Sequence, residues 1–313
     1  MKSKTPLLFG GLFILLVIVY LLTSFHPPEK TKGAVQLFRG ERPVINKLEF
    51  ESKQYGHIVI EEQNGVWNIT EPLKYKASEV SVKNTITDLL GIAVDGVISD
   101  RVEAQHTYDV SDSTGTAIKV YSNDKLVLDA IVGKYSTDLG HTYARLNGSN
   151  EIYLWRGLFS QSVNRGIDEW RDKIIYSFNP DDILSIKAVQ NKVKTVELTL
   201  ADSIWTYTEN GTKKPVDQGK VKGIVSAIAS LRCDAFADEM DIPRAIKKEP
   251  DTHVSFTVRN GDIHSYDVWT PGEEEAGRYL VRTENGEEIF RFYQYRGSQI
   301  VIDYESIMAD KEE

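Results

Sequence analysis

The chain has 313 residues, of which 41% are hydrophobic and 10% aromatic, and its formal net charge is −9. This length and apolar content suit about two domains with cores of their own and argue against global disorder. The negative charge disfavours nucleic acid and anionic lipid head groups as partners. The single cysteine, Cys233, excludes an intramolecular disulfide and any cysteine-based metal or redox motif.

An uncharged apolar segment at residues 5–25 is the first element of the chain. As a helix of about 21 residues it would span about 31 Å, which matches a bilayer core of about 30 Å. It predicts an uncleaved transmembrane anchor in contact with the lipid bilayer, because the apolar region of a signal peptide is usually shorter. Lys2 and Lys4 predict that the tail at residues 1–4 is cytoplasmic and that the remaining chain is extracytoplasmic. Polar residues 26–43 predict an extended tether.

Alternating apolar and polar residues after the tether predict strands. Segments 57–61 and 66–70 flank Asn64-Gly65, which is a strong hairpin signal. Five apolar residues lie on one face of a predicted amphipathic helix: Val82, Ile86, Leu89, Leu90 and Ala93. Further strands are predicted at residues 48–51, 116–121, 126–132, 142–146 and 151–155.

The same pattern then recurs 138 positions later, counted from Leu48 to Ile186. The apolar residues Leu48, Phe50, Ile58, Ile60, Trp67 and Ile69 return as Ile186, Ala188, Val196, Leu198, Trp205 and Tyr207. The predicted fold class is therefore α+β, with two tandem similar domains at residues 44–178 and 179–313. Each is predicted to be a mainly antiparallel sheet with a packed amphipathic helix, behind one N-terminal transmembrane helix.

Two aromatic segments are candidate binding surfaces. Trp170 and Arg171 lie between the copies, where they belong either to a connector that fills the interface between copies or to a docking surface, since Trp and Arg are favoured anchors. Phe292, Tyr293 and Tyr295 lie in a segment that predicts one strand with aromatic residues on both faces. That pattern indicates either a strand buried on both sides or an adhesive face for protein or glycan. These five residues are the predicted partner-binding residues.

Sequence motifs for catalysis are missing from the chain. His253 and His264 could meet across a hairpin, but such a pair lacks a third metal ligand. The chain contains no nucleophile elbow and no dinucleotide fingerprint. Acidic residues near Asp234 could supply a carboxylate pair for hydrolysis, although solvated acidic loops are commoner. We therefore predict no catalytic residue, cofactor or metal, and expect that the protein is not an enzyme.

Two motifs resemble a bacterial family of domains of unknown function. The first is residues 65–70 followed by Pro72 and a helix, and the second is residues 170–173 followed by Phe178 and residues 181–183. Members are similar to single-pass membrane proteins with tandem α+β repeats and are often encoded beside gliding-motility-type ABC transporter components. The resemblance implies a place in the bacterial inner membrane and partners among integral membrane proteins of the envelope, such as an ABC transporter permease. It carries over no catalytic residue.

Three functions follow as hypotheses. The first is a non-enzymatic auxiliary or scaffold subunit of a cell-envelope complex, associated with an ABC transporter. The second is an extracytoplasmic module that binds a glycan or cell-wall polymer through a groove between the copies. The third is a carboxylate-based hydrolase, for which a pair of acids at catalytic separation would be needed.

Overall fold

The computed structural model describes residues 35–38, 42–209, 211–237, 249–271, 278–284, 286 and 288–308. The predicted anchor, the cytoplasmic tail and most of the tether lie outside these residues. Among the helices of the described residues, none has the length and apolar character needed to cross a membrane. The chain divides into two compact units between Arg171 and Asp172.

The first unit is built on a sheet of ten strands. These strands are β1 (Val35–Gln36), β2 (Lys47–Ser52), β3 (Gly56–Gln63), β4 (Val66–Glu71), β5 (Tyr75–Lys76), β6 (Ala93–Ser99), β7 (Thr116–Ser122), β8 (Lys125–Tyr135), β9 (His141–Leu146) and β10 (Ile152–Arg156). Its helices are α1 (Glu79–Gly91), α2 (Ala104–Thr107), α3 (Phe159–Val163) and α4 (Ile167–Trp170).

The second unit is built on a sheet of nine strands. These strands are β11 (Ile183–Gln190), β12 (Lys194–Ala201), β13 (Ile204–Glu209), β14 (Thr212–Pro215), β15 (Ala235–Phe236), β16 (Thr252–Val258), β17 (Ile263–Trp269), β18 (Arg278–Thr283) and β19 (Phe290–Tyr293). A 3-10 turn at Pro180–Asp182 precedes the first of them, and the helices are α5 (Gln218–Ala229), α6 (Gln294–Ile300) and α7 (Tyr304–Ile307).

The two sheets have the same strand order. The first runs β1-β6-β10-β9-β8-β7-β2-β3-β4-β5, and the second, from the equivalent edge, runs β15-β19-β18-β17-β16-β11-β12-β13-β14. The registers also correspond, because Leu48 faces Ile60 in the first sheet and Ile186 faces Leu198 in the second. The predicted duplication into two similar antiparallel, sheet-rich domains is therefore confirmed, and β1 is an additional edge strand of the first sheet.

Apolar residues on one face of the first sheet form its main core with helix α1. Leu48, Ile60 and Ile69 of the sheet and Val82 and Leu89 of the helix are at most 1% exposed. Burial of one such side chain contributes about 1.5–3 kcal/mol. The amphipathic pattern of the helix thus predicted its buried face, because the period of an α-helix places Val82 and Leu89 on the same side.

Equivalent side chains cap the long helix of each unit. The Ser78 side chain accepts a hydrogen bond from the Ser81 backbone N–H at the start of α1. The Asp217 side chain accepts one from the Lys220 N–H at the start of α5. Ser and Asp are favoured at this position because their oxygens satisfy an N–H that has no partner within the helix.

The segment after Trp170 is the beginning of the second repeat. In the first unit the Leu37 N–H donates to the Ile92 carbonyl at 3.0 Å, and in the second the Ile175 N–H donates to the Leu231 carbonyl at 2.8 Å. The Tyr176 hydroxyl also donates to the Ser265 carbonyl at 2.9 Å. Residues 172–178 therefore pack as part of the second unit, whereas the predicted domain boundary follows residue 178.

Each repeat is completed by a short helix that ends in a buried apolar residue. The Ser78 N–H donates to the Trp170 carbonyl at 2.7 Å, and the Asp217 N–H donates to the Ile307 carbonyl at 2.9 Å. The Trp170 and Ile307 side chains are both 0% exposed. Trp170 stacks on Phe50 with ring centroids 4.9 Å apart. Trp170 thus belongs to the core of the first unit and closes that repeat.

Candidate partner-binding surface

The five predicted binding residues differ in exposure. Trp170, Arg171 and Phe292 are 0%, 5% and 1% exposed, whereas Tyr293 and Tyr295 are 48% and 59% exposed. The Arg171 guanidinium lies 4.4 Å from the Tyr75 ring centroid, within the first unit. Trp170 and Arg171 therefore offer little accessible surface in the unit to which they belong, and the two tyrosines offer much more.

The prediction of one aromatic strand through Tyr295 is wrong. Strand β19 ends at Tyr293 and α6 begins at Gln294, so Tyr295 lies on a helix. Phe290 and Phe292 are buried on one face of the strand. The alternation of a strand explains these two positions, and the change of backbone conformation at Gln294 turns Tyr295 back beside Tyr293.

The exposed tyrosines form a surface with three arginines from separate segments. We call Arg232, Arg278, Tyr293, Tyr295 and Arg296 the Tyr–Arg surface. The two tyrosine rings are nearly parallel, with centroids 6.4 Å apart. The guanidinium of Arg278 lies 5.5 Å from the Tyr293 centroid, and that of Arg296 lies 5.6 Å from the Tyr295 centroid. Such cation–π contacts hold charge and ring together at a surface.

Asp234 fixes the geometry of this surface. Its carboxylate accepts a hydrogen bond from the Tyr293 N–H at 2.8 Å and lies 3.5 Å from the Arg296 Nε. The Arg296 Nη1 also donates to the Arg232 carbonyl at 3.3 Å. Arg296 thus pairs with this carboxylate, and Arg232 and Arg278 are the other two cations of the surface. The local charge is therefore positive, although the chain as a whole is negative.

A cavity of about 310 Å³ opens beside the Tyr–Arg surface. Its lining includes the arginines Arg232 and Arg296, the polar residues Ser230 and Gln299, and the ring of Phe292. Its volume is at the lower end of the range of about 300–1,000 Å³ that is typical of ligand sites. The arrangement can receive one side chain of a partner, with an apolar contact from Phe292 and hydrogen bonds from the polar rim.

Aromatic side chains fill the equivalent place in the first unit. Trp155 corresponds to Phe292, because Trp155 pairs with Thr142 and Phe292 pairs with Tyr279 at the same point of each sheet. Phe159 packs against Trp155 with ring centroids 6.0 Å apart, and both side chains are at most 4% exposed. The corresponding helix in the second unit carries Arg296 instead and leaves an opening.

Each unit carries a carboxylate of its own at this place. Asp95 in the first unit occupies the position of Asp234 in the second, near the start of the strand that follows the long helix. The Arg156 guanidinium donates two hydrogen bonds to the Asp95 carboxylate, at 2.6 and 3.1 Å, and the His141 Nε2 lies 2.8 Å away. The hydrogen bonds from Arg156, and then from His141, lower the pKa of Asp95.

Other candidate residues do not come together. His253 pairs with Asp267 in the sheet, and His264 pairs with Phe256, so the register separates the two histidines. Most of the acidic residues that follow Asp234 lie outside the described residues. In the part of the chain that the structure describes, no group of three or more His, Cys, Asp or Glu side chains is arranged to hold a metal ion.

Sequence reasoning missed the arginines of this surface. Arg232, Arg278 and Arg296 lie on three segments that are far apart in the chain, and none stands in a basic run. Alignment of the two copies would have indicated the place, because an acidic residue recurs there as Asp95 and Asp234.

A family model with the description "Domain of unknown function (DUF4340)" matches residues 67–250. The chain belongs to this family. The DUF4340 match begins in β4 and ends before β16, so it crosses the division between the units and draws on both copies of the repeat. No curated protein and no solved structure matches the chain significantly.

Proposed function

We propose that this protein is a membrane-anchored, extracytoplasmic auxiliary or scaffold subunit of a cell-envelope complex, associated with ABC transporter components and non-enzymatic. Its partner docks on the Tyr–Arg surface of the second unit. The single observation that carries this proposal is that surface, in which two exposed tyrosines and three arginines meet beside a small cavity.

The composition of the surface supports protein docking. Tyrosine and arginine are enriched at protein interfaces, where a few such residues carry most of the binding free energy. Aromatic rings contribute a large contact area with little loss of conformational entropy. The Tyr293 N–H and the Arg296 guanidinium are already held by Asp234, so part of the ordering that binding requires is present beforehand.

The charge of the surface favours an acidic partner segment. The surface contains three arginines, of which Arg296 pairs with Asp234, so the surface residues together with Asp234 carry a positive excess. Opposite charge on the partner would speed association and select against basic competitors. The predicted anchor at residues 5–25 supports an integral membrane partner, because it would confine both proteins to the same bilayer.

The experiment that tests this proposal is co-purification of the full-length chain from its native membrane in mild detergent. We expect stoichiometric recovery of an integral membrane protein, such as an ABC permease, together with its ATPase. Tyr295→Ala should weaken this association about tenfold or more, as expected for an interface anchor. Arg232→Glu should also weaken the association. The loss should be larger at low salt than at high salt, because salt screens the charge attraction between the partners.

Tyr304→Ala is the matched control, since Tyr304 is also exposed, at 44%, but lies outside the Tyr–Arg surface. This variant should retain the partner. Recovery of the protein alone, or a partner retained equally by all variants, would argue against the proposed docking role.

A further inference from the structure

A second cavity lies in the first unit, on a different part of the repeat. Its volume is about 510 Å³. It is bounded by the turn after β2, the loop between α2 and β7, the end of β8, and helix α3 with the residue that follows it. All of these elements belong to the first unit, so this cavity is separate from the Tyr–Arg surface.

The loop that forms one wall of this cavity is held firmly in place. Arg145, only 5% exposed, donates from Nε to the Val110 carbonyl and from Nη1 to the Ser149 carbonyl, both at 3.0 Å. It also donates to the Asp112 carboxylate. A buried arginine that ties two residues of this loop, Val110 and Asp112, to the β9–β10 turn at Ser149 limits the movement of the loop, so the wall exists before any ligand binds.

A glycine lets this loop pack directly on the sheet. A Cβ built on Gly133 would collide with the carbonyl oxygen of Tyr108. The equivalent residue of the second unit is Trp269, since Val132 pairs with Thr116 and Val268 pairs with Thr252 at the same point of each sheet. In the second unit, the space next to this strand is needed for the Trp269 side chain. In the first unit, the loop occupies that space.

The lining of the cavity is polar and carries a small positive charge. Lys53 and Lys134 line it with Asp109, and neither lysine forms an ion pair with another described residue. Hydroxyl and amide groups make up much of the remaining wall, contributed by Ser52, Gln54, Ser113, Thr114, Thr116, Ser160 and Asn164. Several of these groups already bond to protein neighbours, such as Thr116 to Asn164 and Thr114 to Ser111, and their remaining donors and acceptors face the cavity. A ligand with several hydroxyl groups would satisfy that remaining capacity, whereas an apolar ligand would not.

We propose that this cavity binds a polyol or saccharide that carries a phosphate or carboxylate group. The ammonium groups of Lys53 and Lys134 hold the anion, and Ser113, Thr114 and Asn164 hold the hydroxyl groups. Lysine is a common phosphate ligand, acting as a point charge. The volume fits a small ligand, within the range of about 300–1,000 Å³ for such sites.

Calorimetry on the full-length protein in detergent tests this proposal, with glucose 6-phosphate and glucuronate as probes. At least one probe should bind, and glucose and inorganic phosphate should each bind at least tenfold more weakly, because each offers only half of the recognised chemistry. Lys53→Gln and Lys134→Gln should each weaken binding about tenfold. Asp109→Asn should strengthen it, since it removes a negative charge from the lining.

The matched control is Lys125→Gln, an exposed lysine of the same unit that does not line the cavity. It should leave affinity unchanged, and all variants should keep the thermal unfolding temperature of the parent. The proposal is overturned if neither probe binds, if glucose binds as tightly as its phosphate, or if the two lysine variants bind as the parent does. These outcomes are independent of partner recovery, because they concern the first unit alone.

Discussion

The two units share a backbone plan and differ in the side chains around one conserved carboxylate. In the first unit Asp95 is paired with Arg156 and His141, and Trp155 and Phe159 fill the adjoining space. In the second, Asp234 is paired with Arg296, and a cavity remains open. Strand order and register survived the duplication because they hold each core together, whereas the side chains at this position were free to diverge. A candidate binding surface thus arises on a fold without change to its topology.

The first unit shows a divergence of its own at the other site. Lys53 in the turn after β2 corresponds to Asn191 in the second unit, and Gly133 corresponds to Trp269. The lysine and the closely packed loop create a polar cavity. Each copy therefore carries a distinct surface feature at a different place in the repeat, which is consistent with two separate binding tasks.

The largest expected effect concerns the residues that close each repeat. Trp170→Ala should lower the free energy of unfolding of the first unit by about 3–5 kcal/mol, because it leaves a large cavity in the core. It should also speed amide hydrogen exchange in α1, whose N-cap residue donates to the Trp170 carbonyl. Ile307→Ala should have the corresponding effect on α5 in the second unit, by about 2–5 kcal/mol.

Mass-spectrometric hydrogen exchange of the full chain measures both effects. Ile204→Ala serves as the control, because Ile204 is 56% exposed and such a surface change should cost no more than about 0.5 kcal/mol. If Trp170→Ala left the protection of α1 unchanged, Trp170 would not be the residue that closes the first repeat.

A smaller effect is the expected difference in stability between the Phe159→Ala and Arg296→Ala variants. Phe159→Ala should cost about 3–5 kcal/mol, because the ring is buried against Trp155. Arg296→Ala should cost only about 1–2 kcal/mol, because its side chain is 39% exposed and Asp234 keeps the hydrogen bond from Tyr293.

Urea unfolding of the two variants makes this comparison, with the parent chain as the reference. Equal losses of stability would show that Arg296 supports the second unit as Phe159 supports the first. The Tyr–Arg surface would then be a structural feature of the fold, and its divergence from the first unit would say little about binding.

The smallest expected effect is the pH dependence of the stability that the Asp95 ion pair contributes. Its folded-state pKa is lowered, chiefly by Arg156, so its contribution is present above its ordinary pKa of 3.8 and is lost as the pH falls through the folded value. Asp95→Asn should therefore cost about 1 kcal/mol at pH 7, typical of a partly exposed ion pair. The stabilities of the parent and the variant should begin to approach each other as the pH falls through 3.8 and should converge below the lowered pKa of Asp95.

Urea unfolding at a series of pH values between about 7 and 2, which brackets the ordinary carboxyl range, tests this dependence. The exposed residue Asp100 provides the control, since Asp100→Asn should change stability little at pH 7. A constant difference between the parent and Asp95→Asn down to the lowest pH would contradict the proposed ion pair.

Most strands and the two long helices could be predicted because their signals are local. At Asn64 and Gly65 the backbone has φ of 53° and 80°, the left-handed conformation that the hairpin requires and that these two residues adopt readily. Alternation likewise predicted the buried side of β2, where Leu48 and Phe50 point to the core. The short strands β5 and β15, each of two residues, were missed because so few positions cannot show a period. The prediction that the helix face extends to Ala93 is wrong, because the helix ends at Gly91 and Ala93 begins β6, whose burial does not alternate.

The sequence by itself determined the duplication, the antiparallel character and the packed helix of each copy, because repeated period and turn chemistry are carried by neighbouring residues. Only the tertiary structure decided that residues 172–178 open the second repeat, since that assignment depends on hydrogen bonds to Ala229 and Leu231, far along the chain. It also decided that Trp170 is buried and that Arg232 and Arg296 meet. Such encounters depend on how distant segments pack, and no local pattern encodes them.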